Sequence, residues 1–147
     1  MYRTILGASL ALAAATAASA QTPDGHDLKW GPAPAVFPKG AELAVLSGDP
    51  FKPGVFVLRL KMPAGYKIPA HHHPTDEMVT VISGDFALGM GDKLDRAKAT
   101  KFKPGGFVNA MAGMNHYAWT TGGAVVEVAA VGPFGMTYVD PKDDPSK

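Results

Sequence analysis

The stretch from Gly65 to Gly84, G-Y-K-I-P-A-H-H-H-P-T-D-E-M-V-T-V-I-S-G, carries the strongest structural signal in this chain of 147 residues. Two of its histidines, His71 and His73, are two positions apart, and side chains at that spacing point to the same face of a β-strand. Pro74 has no N–H to donate to a strand ladder, so it ends this strand. The run that begins at Glu77 predicts a second strand, and we therefore expect Glu77 to return to the point at which both imidazoles are aimed.

A second segment punctuated by glycines, from Gly105 to His116, supplies a fourth candidate ligand. Three imidazoles and one carboxylate form a mixed nitrogen and oxygen ligand set, which suits a divalent first-row metal. The sequence therefore predicts a metal site. The residues predicted to form it are His71, His73, Glu77 and His116.

The spacing of His73 and Glu77 also fits an i, i+4 pair on a helix, as in zinc proteases. Pro74 and the β-branched residues within Val79–Ile82 disfavour a helix at this place. His72 has the opposite strand parity from its two neighbours, so we expect it to point away from them and to be a structural or surface residue.

The first segment resembles the first motif of the cupin superfamily. That motif is a Gly, five residues, His-x-His, three or four residues, a Glu, six residues and a Gly. The matching positions are Gly65, His71, His73, Glu77 and Gly84.

The second segment is similar to the second cupin motif at Gly105, Gly113 and His116. It departs from the motif at two positions, because Met111 stands in place of a proline and Gly106 in place of an aspartate. The pair of motifs implies an all-β fold, a single cupin barrel of the double-stranded β-helix or jelly-roll type. It also implies a homodimer, since single-barrel cupins are commonly dimers.

The rest of the chain independently predicts an all-β sandwich or barrel, because short strand-like runs are separated by Gly, Pro, Asn or Asp. Residues 41–147 are predicted to form the barrel domain, and residues 21–40, rich in Pro and Gly, an extended arm with Trp30 and Phe37 as anchors. The polar segment 92–101 is expected to be an exposed connection. The predicted strands are 42–46, 55–62, 68–73, 77–83, 85–90, 107–111, 116–121, 125–131 and 136–139.

The first 20 residues have the pattern of a secretory signal peptide, with Arg3, an apolar stretch from Ile5 to Ala18 and the small residues Ala18-Ser19-Ala20 at the cleavage site. The apolar stretch is short for a membrane span. Cleavage after Ala20 leaves 127 of the 147 residues, enough for one domain. We therefore expect a periplasmic or secreted protein that has no membrane segment after cleavage.

The charge and cysteine content of the chain limit the kinds of molecule that it is expected to bind. Cleavage removes one of the 14 basic residues, so that 13 basic and 13 acidic residues remain and balance. There is no run of Lys or Arg, and nucleic acid is therefore not an expected partner. The chain has no cysteine, which excludes disulfides and thiolate ligands.

Strand alternation predicts what lines the barrel. If His116 faces the lumen, Ala118 and Thr120 face it too, while Tyr117 and Trp119 face outward and pack against the arm or a second subunit. Val79 and Val81 share the face of Glu77. The lumen is then small and largely apolar, as in a small-molecule site.

Glu127 lies in an apolar run and has two interpretations, which the sequence leaves open. It is either a hydrogen-bond partner of a ligating imidazole or an outward-facing strand residue.

The resemblance implies one divalent transition metal (Fe, Mn, Ni, Zn or Cu) and a small-molecule ligand or substrate. Cupins with this ligand set include dioxygenases, oxalate-cleaving enzymes, isomerases and sensor domains without turnover. Oxalate chemistry is disfavoured, because Ile68 stands where those enzymes carry an Arg, and only Arg59 and Arg96 remain after cleavage.

The favoured activity is oxidative cleavage of a small chelating molecule by a dioxygenase, with Glu77 both a ligand and a catalytic general base. The alternative is a cupin that binds or senses a metal or ligand without catalysis.

Overall fold

The computed structural model describes residues 27–147, in which short strands alternate with tight turns. The predicted signal peptide and residues 21–26 of the predicted arm lie outside this range. A short 3-10 helix covers Pro141–Asp143, and none of the described helices is long and apolar enough to cross a membrane. The strands are β1 (Gly31–Pro32), β2 (Glu42–Ser47), β3 (Gly54–Met62), β4 (Lys67–His72), β5 (Glu77–Gly84), β6 (Phe86–Met90), β7 (Thr100–Phe102), β8 (Phe107–Ala110), β9 (His116–Trp119), β10 (Ala124–Gly132) and β11 (Thr137–Tyr138).

Two antiparallel sheets face each other. One contains six strands in the order β1-β2-β3-β10-β5-β8, and the other contains five in the order β11-β4-β9-β6-β7. In β3 and β10, alternate residues are buried, with Phe56, Leu58 and Leu60 on one strand and Val126 and Val128 on the other. These side chains form the core between the sheets, and the prediction of an all-β fold is confirmed.

The segment between β6 and β7 is largely exposed, as the sequence predicted, but two of its residues pack on the barrel. Its Leu94 and Ala99 pack against Tyr117 and Trp119 on the outer face of the five-stranded sheet. The Tyr117 hydroxyl donates a hydrogen bond of 2.9 Å to the backbone oxygen of Asp95. The two aromatic residues do face away from the lumen, as the alternation predicted. Their cover, however, is this segment of their own barrel, because its few apolar residues shield both rings.

Residues 31–38 form part of the barrel wall. Strand β1 pairs with β2 at the edge of the six-stranded sheet. Further along, the backbone oxygen of Pro38 accepts a hydrogen bond from the Tyr66 hydroxyl, and that of Val36 accepts one of 2.7 Å from Tyr138. Phe37 packs against the core, and Lys61 lies 5.3 Å from the centre of the Trp30 ring. These contacts place this stretch beside the barrel lumen.

The turn between β5 and β6 is fixed by one glycine and one carboxylate. Gly84 has a φ of +81°, and a Cβ added there would lie 2.0 Å from the backbone oxygen of Gly123. Only glycine therefore fits. The next residue, Asp85, accepts hydrogen bonds of 2.7 Å from the backbone N–H groups of Thr121 and Gly122. The turn between β5 and β6 is thereby held to the turn between β9 and β10, and β5 and β9 carry Glu77 and His116.

Candidate functional site

Strands of both sheets bring the predicted site residues together. His71 lies near the end of β4, and His73 follows that strand directly, before Pro74. His116 is the first residue of β9 and pairs across the sheet with His71. Glu77 is the first residue of β5, on the opposite sheet. The strand break at Pro74 thus lets the chain cross between the sheets and return Glu77 to the histidines.

The three imidazoles form a compact buried group. Their candidate ligand atoms all lie within 4.8 Å of one another. His71, His73 and His116 are each only 2% to 3% exposed. The ring centres of His71 and His116 are 4.3 Å apart. Buried neutral imidazoles at such spacing are suited to sharing one cation.

Each imidazole is oriented through its Nδ1 atom. Nδ1 of His71 lies 2.7 Å from the backbone oxygen of Pro69, and Nδ1 of His73 lies 2.7 Å from that of Gly135. Nδ1 of His116 lies 2.9 Å from the backbone oxygen of Met114. A carbonyl can only accept, so Nδ1 carries the proton in all three rings. The Nε2 lone pairs are therefore available to a metal.

Two of these Nε2 atoms have no hydrogen-bond partner among the described residues. They belong to His73 and His116 and are fully buried. A buried nitrogen without a partner is energetically costly, so the arrangement calls for a group that the protein itself does not supply. A divalent metal bound by the three nitrogens fits this requirement.

Glu77 lies beside the imidazole group. Its Oε2 atom is 3.6 Å from Nε2 of His73 and 3.5 Å from Nε2 of His116, and the side chain is 13% exposed. These distances are too long for hydrogen bonds but short enough for the carboxylate to join the same metal. The donor set of three nitrogens and one carboxylate oxygen suits a first-row divalent ion.

The electrostatics of the group favour neutral imidazoles at His71 and His73 and an ionised carboxylate at Glu77. Burial, reinforced by His116 and His73, lowers the pKa of His71 to about 3. Burial also lowers the pKa of His73, with Glu77 opposing it. For His116, burial acts to lower the pKa, but the neighbouring Glu77 outweighs it and the pKa is raised. Burial acts to raise the pKa of Glu77, but the approach of His116 and His73 holds it below its ordinary value.

Phe134 and Gly135 hold His73 from two directions, and the sequence analysis did not identify them. The Phe134 ring is stacked on His73 with centres 4.4 Å apart, and it also meets the edge of Phe56 at 5.4 Å. Gly135 supplies the carbonyl that fixes Nδ1 of the same imidazole. These two residues come after β10, some 60 positions from His73. No local spacing in the sequence signals this contact, since it arises only when β11 docks on β4.

His72 and Glu127 both lie outside the imidazole group. Nδ1 of His72 is 3.1 Å from the side-chain oxygen of Asn115, whose amide nitrogen donates to Asp92. Glu127 is on the outer side of its strand, with Oε2 3.1 Å from Nε of Arg59. The outward-facing interpretation of Glu127 is therefore confirmed, and it contacts no ligating imidazole.

A cavity of about 410 Å³ extends from the imidazoles into the barrel. The ionisable side chains among its described lining residues are His71, Glu77, His116 and Asp49, and none of these lining residues is Lys or Arg. Apolar residues line the remainder, among them Val79, Leu88, Ala118, Val128 and Phe134.

One lumen prediction is wrong. Thr120 is buried but does not line the cavity, because its hydroxyl donates a hydrogen bond of 3.2 Å to Asp85. Ala118 and Val79 do line the cavity, as the alternation predicted.

Comparison with known proteins identifies the family. The family model for the cupin domain matches residues 58–132, and the chain belongs to the cupin family. No curated protein matches the chain.

Several solved structures share the fold at low sequence identity. The polyketide cyclase RemF from Streptomyces resistomycificus is 18% identical with a TM-score of 0.67, covering 82% of this chain and 85% of that one. A proposed acetylacetone dioxygenase from Methylibium petroleiphilum is 20% identical with a TM-score of 0.65, covering 88% of both chains. An RmlC-like cupin from Shewanella frigidimarina is 12% identical with a TM-score of 0.59, covering 77% of this chain and 91% of that one. At these identities the similarity establishes the fold.

Proposed function

We propose that this chain is a metal-dependent cupin enzyme that oxidatively cleaves a small chelating organic molecule with an apolar body. One divalent transition metal (Fe, Mn, Ni, Zn or Cu) is held by His71, His73, Glu77 and His116. The observation that carries this proposal is the convergence of three imidazoles, each with Nδ1 fixed on a carbonyl, beside an apolar cavity that His71 and His116 help to line.

The cavity supports a substrate that is uncharged apart from its chelating head. Within residues 27–147, no Lys or Arg lines its wall to pair with a carboxylate or phosphate, so a charged molecule would lose hydration there without gaining an ion pair from these residues. A β-diketone has two oxygen atoms placed to chelate one metal and apolar groups on either side. Similar folds include a proposed acetylacetone dioxygenase and a polyketide cyclase, which is compatible with a substrate rich in carbonyl groups.

The residues around the site have distinct tasks in such a reaction. The metal, when bound, supplies a Lewis acid and, if redox-active, a route for electrons to dioxygen. Glu77 can accept the proton from the carbon between the two carbonyls of a diketone, since its carboxylate is ionised and faces the cavity. The apolar wall orients the substrate and excludes water. Cleavage breaks one carbon–carbon bond and places both atoms of dioxygen in the products, so that no separate reductant is required.

An oxygen-electrode assay tests the proposal. Protein loaded in turn with iron or nickel is given acetylacetone, a flavonol or a catechol, and oxygen uptake dependent on substrate and protein is expected. Glu77→Gln should reduce turnover more than metal content, because the amide keeps an oxygen ligand but is a much poorer proton acceptor. His72→Ala, which changes a histidine outside the group, should retain activity.

The second candidate is a cupin that binds a ligand and does not catalyse a reaction. It is favoured by the small number of groups that could transfer a proton. Among the described residues that line the cavity, Glu77 is the one carboxylate near the imidazoles. A pure binder would consume no oxygen with any metal, yet chelators would raise its unfolding temperature with increasing concentration. That combination of results would replace the enzyme proposal by the binding one.

We also propose that the chain is exported to the periplasm or secreted and cleaved after Ala20. The support is the succession of Arg3, the apolar stretch and the small residues up to Ala20. The intact mass of the exported protein should correspond to Gln21–Lys147. Recovery of the uncleaved chain from the cytoplasm would contradict this proposal.

A further inference from the structure

The register of the strands divides the cavity into layers. His71 and His116 are cross-strand partners, and Glu77 is the partner of Ala130 on β10. These residues form what we call the metal layer. Side chains on one face of a strand follow each other at intervals of two residues, so the next layer lies about 7 Å away. Ala118, two residues after His116 on β9, belongs to this second layer.

The second layer has a gap at Ala118. In its own sheet, Ala118 lies between Ile68 and Leu88, and both are its cross-strand partners. The opposite sheet contributes Val79 and Val128, which are partners of each other. All five side chains line the cavity, and that of Ala118 is the one among them that is not branched. The space beside its methyl group therefore connects the metal layer with the deeper part of the cavity.

The deeper part of the cavity is closed and apolar. It is lined by Leu60 and Val126, which are cross-strand partners, and by Met62 and Phe86. Met62 and Phe86 are only 2% and 4% exposed, so the cavity does not open between them. Val126 comes four residues before Ala130 on β10, which places this part of the cavity about 13 Å from the metal layer. None of these lining side chains carries a charge or donates a hydrogen bond.

The cavity meets solvent near the metal layer. Two of its apolar lining residues, Val45 and Phe51, are 46% and 69% exposed. The backbone oxygen of Pro50 accepts a hydrogen bond of 2.7 Å from the N–H of Phe134, whose ring is stacked on His73. The opening therefore lies beside the imidazoles. A molecule that enters here and keeps its chelating head at the imidazoles can bury its remaining atoms by extending them through the second layer.

We propose that the deeper part of the cavity binds an unbranched apolar tail of the substrate, and that Ala118 determines how long this tail can be. The inference rests on the proposed function for the chelating head, a β-diketone. The substrate class is then a β-diketone that carries, on one side, a tail of several carbon atoms without polar groups. A hydroxyl group on the tail would be buried without a partner among the described side chains of the deeper part, at a cost in free energy.

Two diketones of different length test the role of Ala118. Calorimetric titration of metal-loaded protein measures the Kd of acetylacetone and of its homologue in which an unbranched hexyl group replaces one methyl group. Ala118→Leu adds an isopropyl group to the passage between the layers. It should raise the Kd of the hexyl homologue at least about tenfold and that of acetylacetone less than about twofold, because only the longer molecule loses buried methylenes. Ala118→Val should cause a smaller rise in the same direction.

Ala129→Leu is the matched control. Ala129 is half-buried on β10 and is not among the described residues that line the cavity, so the same enlargement should leave both Kd values unchanged. Ala118 borders open space, and a leucine there should therefore not overpack the core. The metal content and unfolding temperature of each variant show that it is folded and retains its metal.

A polar version of the tail tests the chemical class of the substrate. The hexyl homologue with a hydroxyl group at the end of its tail should bind at least about fivefold more weakly than the plain homologue, because the hydroxyl loses its hydration in the cavity. Equal affinities would show that the tail lies in solvent and would overturn the proposal.

Binding measurements separate this inference from the proposed oxidation. The inference is overturned if the hexyl homologue binds no more tightly than acetylacetone, or if Ala118→Leu affects it no more than acetylacetone, even where oxygen uptake is observed. If the longer tail raises affinity and Ala118→Leu removes that gain, but no diketone is oxidised, the enzyme proposal fails and the tail site stands.

Discussion

Single residues set the chemistry of the candidate site through hydrogen bonds to the backbone. His71 and His116 contact carbonyls two residues earlier in the chain, whereas His73 depends on Gly135 from a distant segment. The orientation of the His73 ring therefore depends more on tertiary structure than the orientations of the His71 and His116 rings. Such partners of ligating histidines tune both metal affinity and ring position.

Replacing any one of the three grouped histidines should remove most of the metal. We expect His71→Ala, His73→Ala and His116→Ala each to weaken metal binding by more than about a hundredfold, since changes outside the ligand set already cost about 10–100-fold. Metal analysis after dialysis measures the loss. His72→Ala is the matched control, and an equal loss in that variant would show that the predicted strand parity is wrong.

Removing the Phe134 ring should loosen His73 without removing a ligand. Phe134→Ala is expected to raise the Kd for the metal by up to about tenfold, because the stacked ring restricts the imidazole. Chelator competition measures the Kd, and thermal unfolding is recorded separately. Phe102→Ala, which removes a half-buried ring that packs on Phe86, should lower stability and leave the Kd unchanged. If Phe134→Ala and Phe102→Ala changed the Kd equally, Phe134 would contribute only to packing and not to the position of His73.

Individual elements were predictable where the local sequence is decisive. The end of β4 near Pro74 and the start of β5 at Glu77 follow from the missing N–H of proline and the β-branched run after it. Strand β7 was not predicted, because its three residues, Thr100–Phe102, continue a polar segment with little apolar alternation. The cover over Tyr117 was missed for the same reason.

The turn that joins β5 to β6 should make stability depend on pH through Asp85. Hydrogen bonds from the backbone of Thr121 and Gly122 lower the pKa of Asp85 below its unfolded value. The stabilisation that Asp85 gives the folded state is therefore fully present above its pKa in the unfolded chain, about 3.9. It is lost as the pH falls through the lower pKa that Asp85 has in the folded protein.

Asp85→Asn should accordingly lower the unfolding temperature at neutral pH, because the amide resembles the protonated acid and forms weaker hydrogen bonds. The difference from the unaltered protein should shrink as the pH falls below the folded pKa. Thermal unfolding over a pH series measures it. A difference that is constant with pH would mean that the charge of Asp85 does not contribute.

At the scale of the whole molecule, the fold and the convergence of the site residues could be predicted because both depend on paired motifs and strand alternation. The residues of the cavity wall could not be predicted from the sequence. Phe37 and Phe134 line it from segments at opposite ends of the described chain, and no periodic pattern connects those segments. The outward position of Arg59 and Glu127 likewise appears only when β3 and β10 pair.

An apolar cavity predicts how affinity depends on the ligand. In a series of β-diketones, each added methylene should lower the Kd by about fourfold until the cavity is filled, as expected for about 0.8 kcal/mol per buried methylene. Malonate offers a similar pair of oxygens but carries charge, so it should bind more weakly than acetylacetone. Calorimetric titration of metal-loaded protein measures both. Tighter binding of malonate would show that the cavity does recognise anions.

X-ray absorption spectroscopy of the metal-loaded protein tests the central claim most directly. With one metal per chain, the account predicts three imidazole nitrogens and a carboxylate oxygen at about 2.0–2.2 Å. Glu77→Ala should remove the oxygen contribution that the carboxylate provides and leave the three nitrogens. A spectrum with fewer than three imidazoles, or one unchanged by His73→Ala, would contradict the assignment of this group as the metal centre.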